Sequence, residues 1–106
     1  MPKFLFEAHY TPDGAKGIIK DGGSARRAAI DKAVTAIGGK MESFHFAFGG
    51  VDASVVVDLP DNVTAAAMAL AVNQSGLAST RTVVLMTPEE VDAATRKVPS
   101  YRGPGQ

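Results

Sequence analysis

The sequence predicts an α+β domain in which one four-stranded antiparallel sheet carries both main helices on a single face. Three observations point there. Four runs, starting near Lys3, Lys40, Val51 and Thr80, read as strands, with side chains falling alternately on two faces. Between the first and second runs, and again between the third and fourth, apolar residues recur at helical spacing or fill a short apolar stretch. Between the second and third runs stand only Gly49 and Gly50, a hairpin signal. Right-handed crossovers then place both helices on the same side of the sheet. The order β-α-β-β-α-β becomes the split βαβ, or ferredoxin-like, arrangement with strand order 4-1-3-2.

The first strand spans Lys3 to Tyr10, with Phe4, Phe6, Ala8 and Tyr10 on one face and Lys3, Leu5, Glu7 and His9 on the other. Thr11 and Pro12 form an N-cap and first helical residue, because proline lacks the amide that a helix start leaves unpaired. This short helix turns Ile18 and Ile19 inward and stops at Gly22-Gly23. Ser24 caps a longer helix ending near Ile37. Its apolar stripe is Ala29, Ile30, Ala33, Val34 and Ile37, while Arg26, Arg27, Asp31 and Lys32 face water.

The second strand, about Lys40 to Phe48, and the third, about Val51 to Leu59, meet at a tight Gly49-Gly50 turn. That turn sets the register: Ala47 faces Asp52, Phe46 Ala53, His45 Ser54, Phe44 Val55 and Ser43 Val56. Pro60-Asp61-Asn62 caps a helix from Val63 to about Asn73, which Gly76 ends. It carries no charge and is apolar or small nearly all round, which predicts burial on more than one side. The fourth strand runs from Thr80 to Met86. Thr87-Pro88-Glu89-Glu90 opens a last helix to about Lys97. The domain is assigned to residues 1–98, and residues 99–106 to a flexible tail.

Composition narrows the function classes. Lys+Arg and Asp+Glu each number 11, so no basic excess exists for nucleic acid. There is no cysteine, hence no disulfide framework and no thiolate metal site. The amino terminus turns polar too soon for a signal peptide, and the apolar stretch Val63 to Val72 is too short to span a bilayer. These features predict a soluble, cytoplasmic protein that uses neither membrane nor nucleic acid.

The helices cover Phe4, Phe6, Phe44, Phe46, Val55 and Val57. The opposite face, presenting Leu5, Glu7, His9, Met41, Ser43, His45, Asp52, Ser54, Val56 and Asp58, has no cover from its own chain. An apolar strip of Leu5, Met41 and Val56 there predicts a second copy packed sheet to sheet. Which face of the fourth strand joins it stays open at this level.

The segments KFLFEAHYTPDGAKG, GGKMESFHFAFGG, VDLPDNVTAAAMALAVNQSG and VVLMTPEEVDAA together resemble the GYD domain proteins, small bacterial proteins. The resemblance covers nearly the whole chain and implies a ferredoxin-like dimeric α/β barrel. The tripeptide that names the family stands here as Gly50-Val51-Asp52, with valine in place of tyrosine. The resemblance brings no catalytic residue with it.

From the residues themselves, His9, His45, Asp52 and Ser54 gather at one end of the open face. The candidate ligand-binding set is Glu7, His9, Ser43, His45, Asp52, Ser54 and Arg81, with His9, His45 and Asp52 the candidates for catalysis. A structural reading competes throughout: Asp52 as a turn cap, Glu7 with Arg81 as an ion pair, Gly22-Gly23-Ser24 as a helix start with solvated Arg26 and Arg27 rather than an anion site. His9 and His45 stand two strands apart, roughly 10 Å between backbones, so no metal site is assigned. No cofactor is expected. The sequence thus predicts an oligomeric small-molecule-binding or assembly domain. The alternative is a cofactor-free enzyme of monooxygenase, isomerase or decarboxylase type using His9, His45 and Asp52.

Overall fold

The computed structural model describes residues 1–106. Its elements run β1 (Lys3–Tyr10), α1 (Pro12–Asp21), α2 (Gly23–Ala36), β2 (Lys40–Phe46), β3 (Ala53–Asp58), α3 (Asn62–Gln74), β4 (Ala78–Leu85) and α4 (Pro88–Thr95). The strands form one sheet in the order β2-β3-β1-β4, every neighbour antiparallel, which is the expected 4-1-3-2 order viewed from the other edge. Alternation on β1 and β3 sends Phe4, Phe6, Val55 and Val57 to one side. There they meet Val34 of α2, Ala65 and Met68 of α3, and Leu59.

Caps fix where the helices begin. The Gly14 amide donates to Thr11 Oγ1 (3.2 Å) ahead of Pro12, as the sequence predicts. Thr87 and Glu90 form a reciprocal capping box at α4. At α3, the Thr64 amide (2.8 Å) and hydroxyl (2.7 Å) both donate to Asp61 Oδ1. These two bonds hold the Asp61 carboxyl below its ordinary value, the amide contributing most. A carboxyl depressed by folding adds stability above its unfolded pKa and loses it as pH falls through the folded one. Asp61→Asn keeps a capping oxygen but not the charge. It is expected to flatten the fall of Tm with acid, followed by circular dichroism between about pH 2 and pH 6. An unchanged acid limb would show that this cap does not report on pH.

Four local expectations are corrected. α2 starts at Gly23 with Gly22, not Ser24, at its N-cap and with no side-chain cap bond; Gly22 at φ +86° turns α1 directly into α2. Ile18 is half-buried but Ile19 is 85% exposed, since neighbouring helical residues point about 100° apart and α1 has one covered side. The Gly49-Gly50 connection is wider than a two-residue turn. Paired residues end at Phe46 and Ala53, Phe48 stands fully exposed, and neither glycine adopts a left-handed φ. The register beyond it is nevertheless the predicted one. Finally, a bulge between Met41 and Ser43 inserts Glu42, so Met41 pairs with Val57 and packs against the core rather than on the open face.

α3 is buried along one side only. Val63 and Leu70 are 78% and 69% exposed, so the wider burial expected of this helix is not reached within one chain. α4 is exposed along its whole length and packs closely on no other element. The radius of gyration is 16.9 Å, against about 13 Å for a compact chain of this size. The excess is the arm formed by α4 and the residues after it.

Candidate functional site

The register aligns the open face into rungs that cross all four strands. His45 pairs with Ser54, Ser54 with Glu7, and Glu7 with Arg81, giving one polar rung. The next rung is Ser43, Val56, Leu5 and Val83. Beyond it lie Asp58, Lys3 and Leu85. Polar end, apolar middle and charged end follow from a two-residue period applied to four short strands. His9 extends the polar end by one more step, opposite Ser79.

The charges on this face are paired within the chain. Arg81 donates through Nε (3.2 Å) and Nη2 (2.8 Å) to Glu7 Oε1. The glutamate side chain is 18% exposed and the arginine 72%, so the pair contributes below about 1 kcal/mol, a rim contact rather than a buried clamp. Lys3 donates to Asp58 (2.9 Å) and to Glu42, the bulge residue. The Glu42 bond first, then the Asp58 bond, raise the Lys3 ammonium above its ordinary value.

Among the sequence-derived site residues, the structure brings Glu7, Ser54, His45 and Arg81 onto one rung, with Ser43 one step away and both histidines exposed. Asp52 has backbone work to do. Its amide donates to the Ala8 carbonyl (2.8 Å), its carbonyl accepts from Ala47 (2.9 Å), and Oδ2 accepts from the Tyr10 amide (2.9 Å). It therefore clasps the end of β1 to the β2–β3 connection. No three His, Asp or Glu residues gather closely enough to hold a metal ion, and no helix is long and apolar enough to cross a membrane.

The family model of the GYD domain matches residues 4–95. The chain belongs to the GYD domain family. The match begins in β1 and ends on the last residue of α4, so the projecting helix lies within the GYD domain and residues 96–106 lie beyond the match. Neither a curated protein nor a solved structure matches the chain. The Gly50-Val51-Asp52 tripeptide lies where the GYD domain joins β2 to β3, and its aspartate is the clasp just described.

Sequence reasoning missed two residues on the other side of the sheet. Arg26 does not face water: it is half-buried, its guanidinium carbon 5.8 Å from the centre of the Tyr10 ring. The signal was available, since Arg26 stands four residues before Ile30 and eight before Val34, on the same helical stripe. Thr80 pairs with Ala8 and so joins β4 to the helix-covered face, with Arg81 on the open one. Arg27 is exposed, as expected.

Proposed function

We propose that this GYD domain is an oligomeric small-molecule-binding domain, in which two copies pack open face to open face. The polar rungs of Glu7, His9, Ser43, His45, Ser54 and Arg81 then line a chamber between the sheets. The observation that carries this reading is the half-exposed apolar row Leu5, Val56, Val83 and Leu85, left without a helix and flanked by charges already neutralised in pairs. Magnitudes decide what else must take part. Four strands about 4.8 Å apart and some 20 Å long offer roughly 400 Å² of flat area per copy, or about 800 Å² for two. Stable interfaces bury about 1,200 Å² or more, so the sheet face alone falls short. The arm and the residue leading into it supply the difference: Met86, Val91, Val98 and Tyr101 are each about half exposed or more. A second copy accounts for both bare surfaces at once.

Sedimentation equilibrium and native mass spectrometry test the reading. The intact chain is expected to be dimeric or larger at micromolar concentration. Val56→Asp, with a charge at the centre of the apolar row, is expected to give a monomer with unchanged far-ultraviolet circular dichroism. A wild-type chain that stays monomeric at high micromolar concentration removes the proposal.

A further inference from the structure

α2 lies over β2 and α3 over β4, and their side chains meet over the central strands. A cavity of about 30 Å³ remains in that packing, room for about one water or one carboxylate oxygen. Of its 13 lining residues, 11 are hydrophobic and the other two are Arg26 and Thr80. Those two hold the molecule's buried side-chain polar atoms without a hydrogen-bond partner, Arg26 Nε and Thr80 Oγ1. Arg26 forms no ion pair, and its guanidinium carbon lies 5.8 Å from the centre of the Tyr10 ring. Unpaired polar atoms in an apolar wall are costly and uncommon, and two on one cavity call for a polar guest between them, a water or a ligand oxygen.

Tyr10 and Arg26 also line a second space, a cleft of about 230 Å³ between α1, α2 and the start of β4. Its floor is small or apolar: Gly14, Gly17, Ala25, Ala29 and Leu77. A cation therefore sits where an outer cleft meets a small, apolar-walled inner cavity.

We infer that this cleft binds a small organic carboxylate with an apolar body. The carboxylate takes the guanidinium of Arg26, the Thr80 hydroxyl on the inner side is a second donor, and the apolar body lies along the glycine–alanine floor. Arginine suits this role because its fixed fork matches a carboxylate and gains from a desolvated setting. Inorganic anions fit less well, since they gain nothing from the apolar part of the wall, while Asp21, which also lines the cleft, opposes any anion. The site lies on the helix side, so its test does not depend on how copies associate.

The probes are benzoate, phenylacetate and hexanoate, with benzamide and acetate as controls lacking the charge or the apolar body. Amide chemical shifts of the intact chain, titrated to a few millimolar, give location and affinity together. The expected result is saturable shifts clustered on Tyr10, Arg26, Ala29 and Leu77 for at least one of the three acids. Benzamide and acetate should bind at least tenfold more weakly, and Arg26→Gln should lose the acid tenfold or more while keeping its dispersed spectrum. Should Arg26→Gln fail to fold, the ratio of benzoate to benzamide in the unaltered chain decides alone. Equal binding of acid and amide, an Arg26→Gln chain that binds as before, or no clustered shift with any of the three acids overturns the inference.

Discussion

Gly14→Ala is expected to destabilise the fold by about 3 kcal/mol, lowering Tm by roughly 10–20 °C. In most helices the same change helps, because alanine is the better helix former by about 1 kcal/mol. Here the sign reverses. A Cβ at Gly14 would lie 1.9 Å from the Leu77 carbonyl oxygen and 2.9 Å from its carbon, both backbone atoms. That oxygen cannot retreat freely, since it accepts from the Thr11 amide (3.0 Å) and hydroxyl (3.2 Å). The three residues tie the start of α1 to the start of β4, and Gly14 and Leu77 form part of the cleft beside Arg26. Gly17 supplies the control: on the same helix, a Cβ there meets nothing within 4 Å, so Gly17→Ala should be neutral or stabilising. Urea unfolding of both variants reads the difference. A Gly14→Ala chain as stable as wild type would mean that α1 does not approach β4 this closely.

Strand register was readable because it rests on short-range alternation. Phe44, His45 and Phe46 find the partners that a two-residue period assigns, even though the turn between the strands is not the one expected. Turn type depends on what the neighbouring chain segment takes. Asp52 gives its amide and carboxylate to β1, and the connection opens to accommodate that long-range clasp. The face of Met41 was unreadable for a similar reason, because a bulge shifts alternation by one residue without marking the sequence.

The side of β4 was within reach. Once Glu7 is set on the open face and paired with Arg81, period two sends Thr80 to the helices. A charge near a helix start is usually solvated, which is what favours an exposed Arg26 at the level of residue type. Its place on the Ile30–Val34 stripe was the stronger signal, since packing geometry, not residue polarity, decides where a helix face points. Six of the seven ligand-binding candidates share the open sheet face, with Asp52 at its edge. What no single sequence could give is the projection of α4, because that helix is well capped and well formed yet lacks a surface in its own chain.

Phe4 and Leu5 are adjacent, and replacing each is expected to fail in a different way. Phe4 is 1% exposed among Val34, Val57 and Leu59, so Phe4→Ala removes a buried ring and leaves a cavity, at a cost of about 4 kcal/mol. A small domain holds roughly 5–15 kcal/mol in all, so most of its margin goes, at any protein concentration. Leu5 is half-exposed on the open face between Val56 and Val83. In a lone molecule Leu5→Lys changes stability by about 0.5 kcal/mol or less. Between two packed sheets the same ammonium would be buried without a partner, and dimer affinity should fall a hundredfold or more. Association also makes apparent stability rise with concentration, because a partner binds only the folded chain. Urea unfolding at several protein concentrations therefore separates the two residues. Phe4→Ala should lower every curve, whereas Leu5→Lys should collapse the concentration series onto its most dilute member. If Leu5→Lys instead lowers stability by several kcal/mol in dilute solution, the open face is part of one chain's own fold and no second copy is needed to explain it.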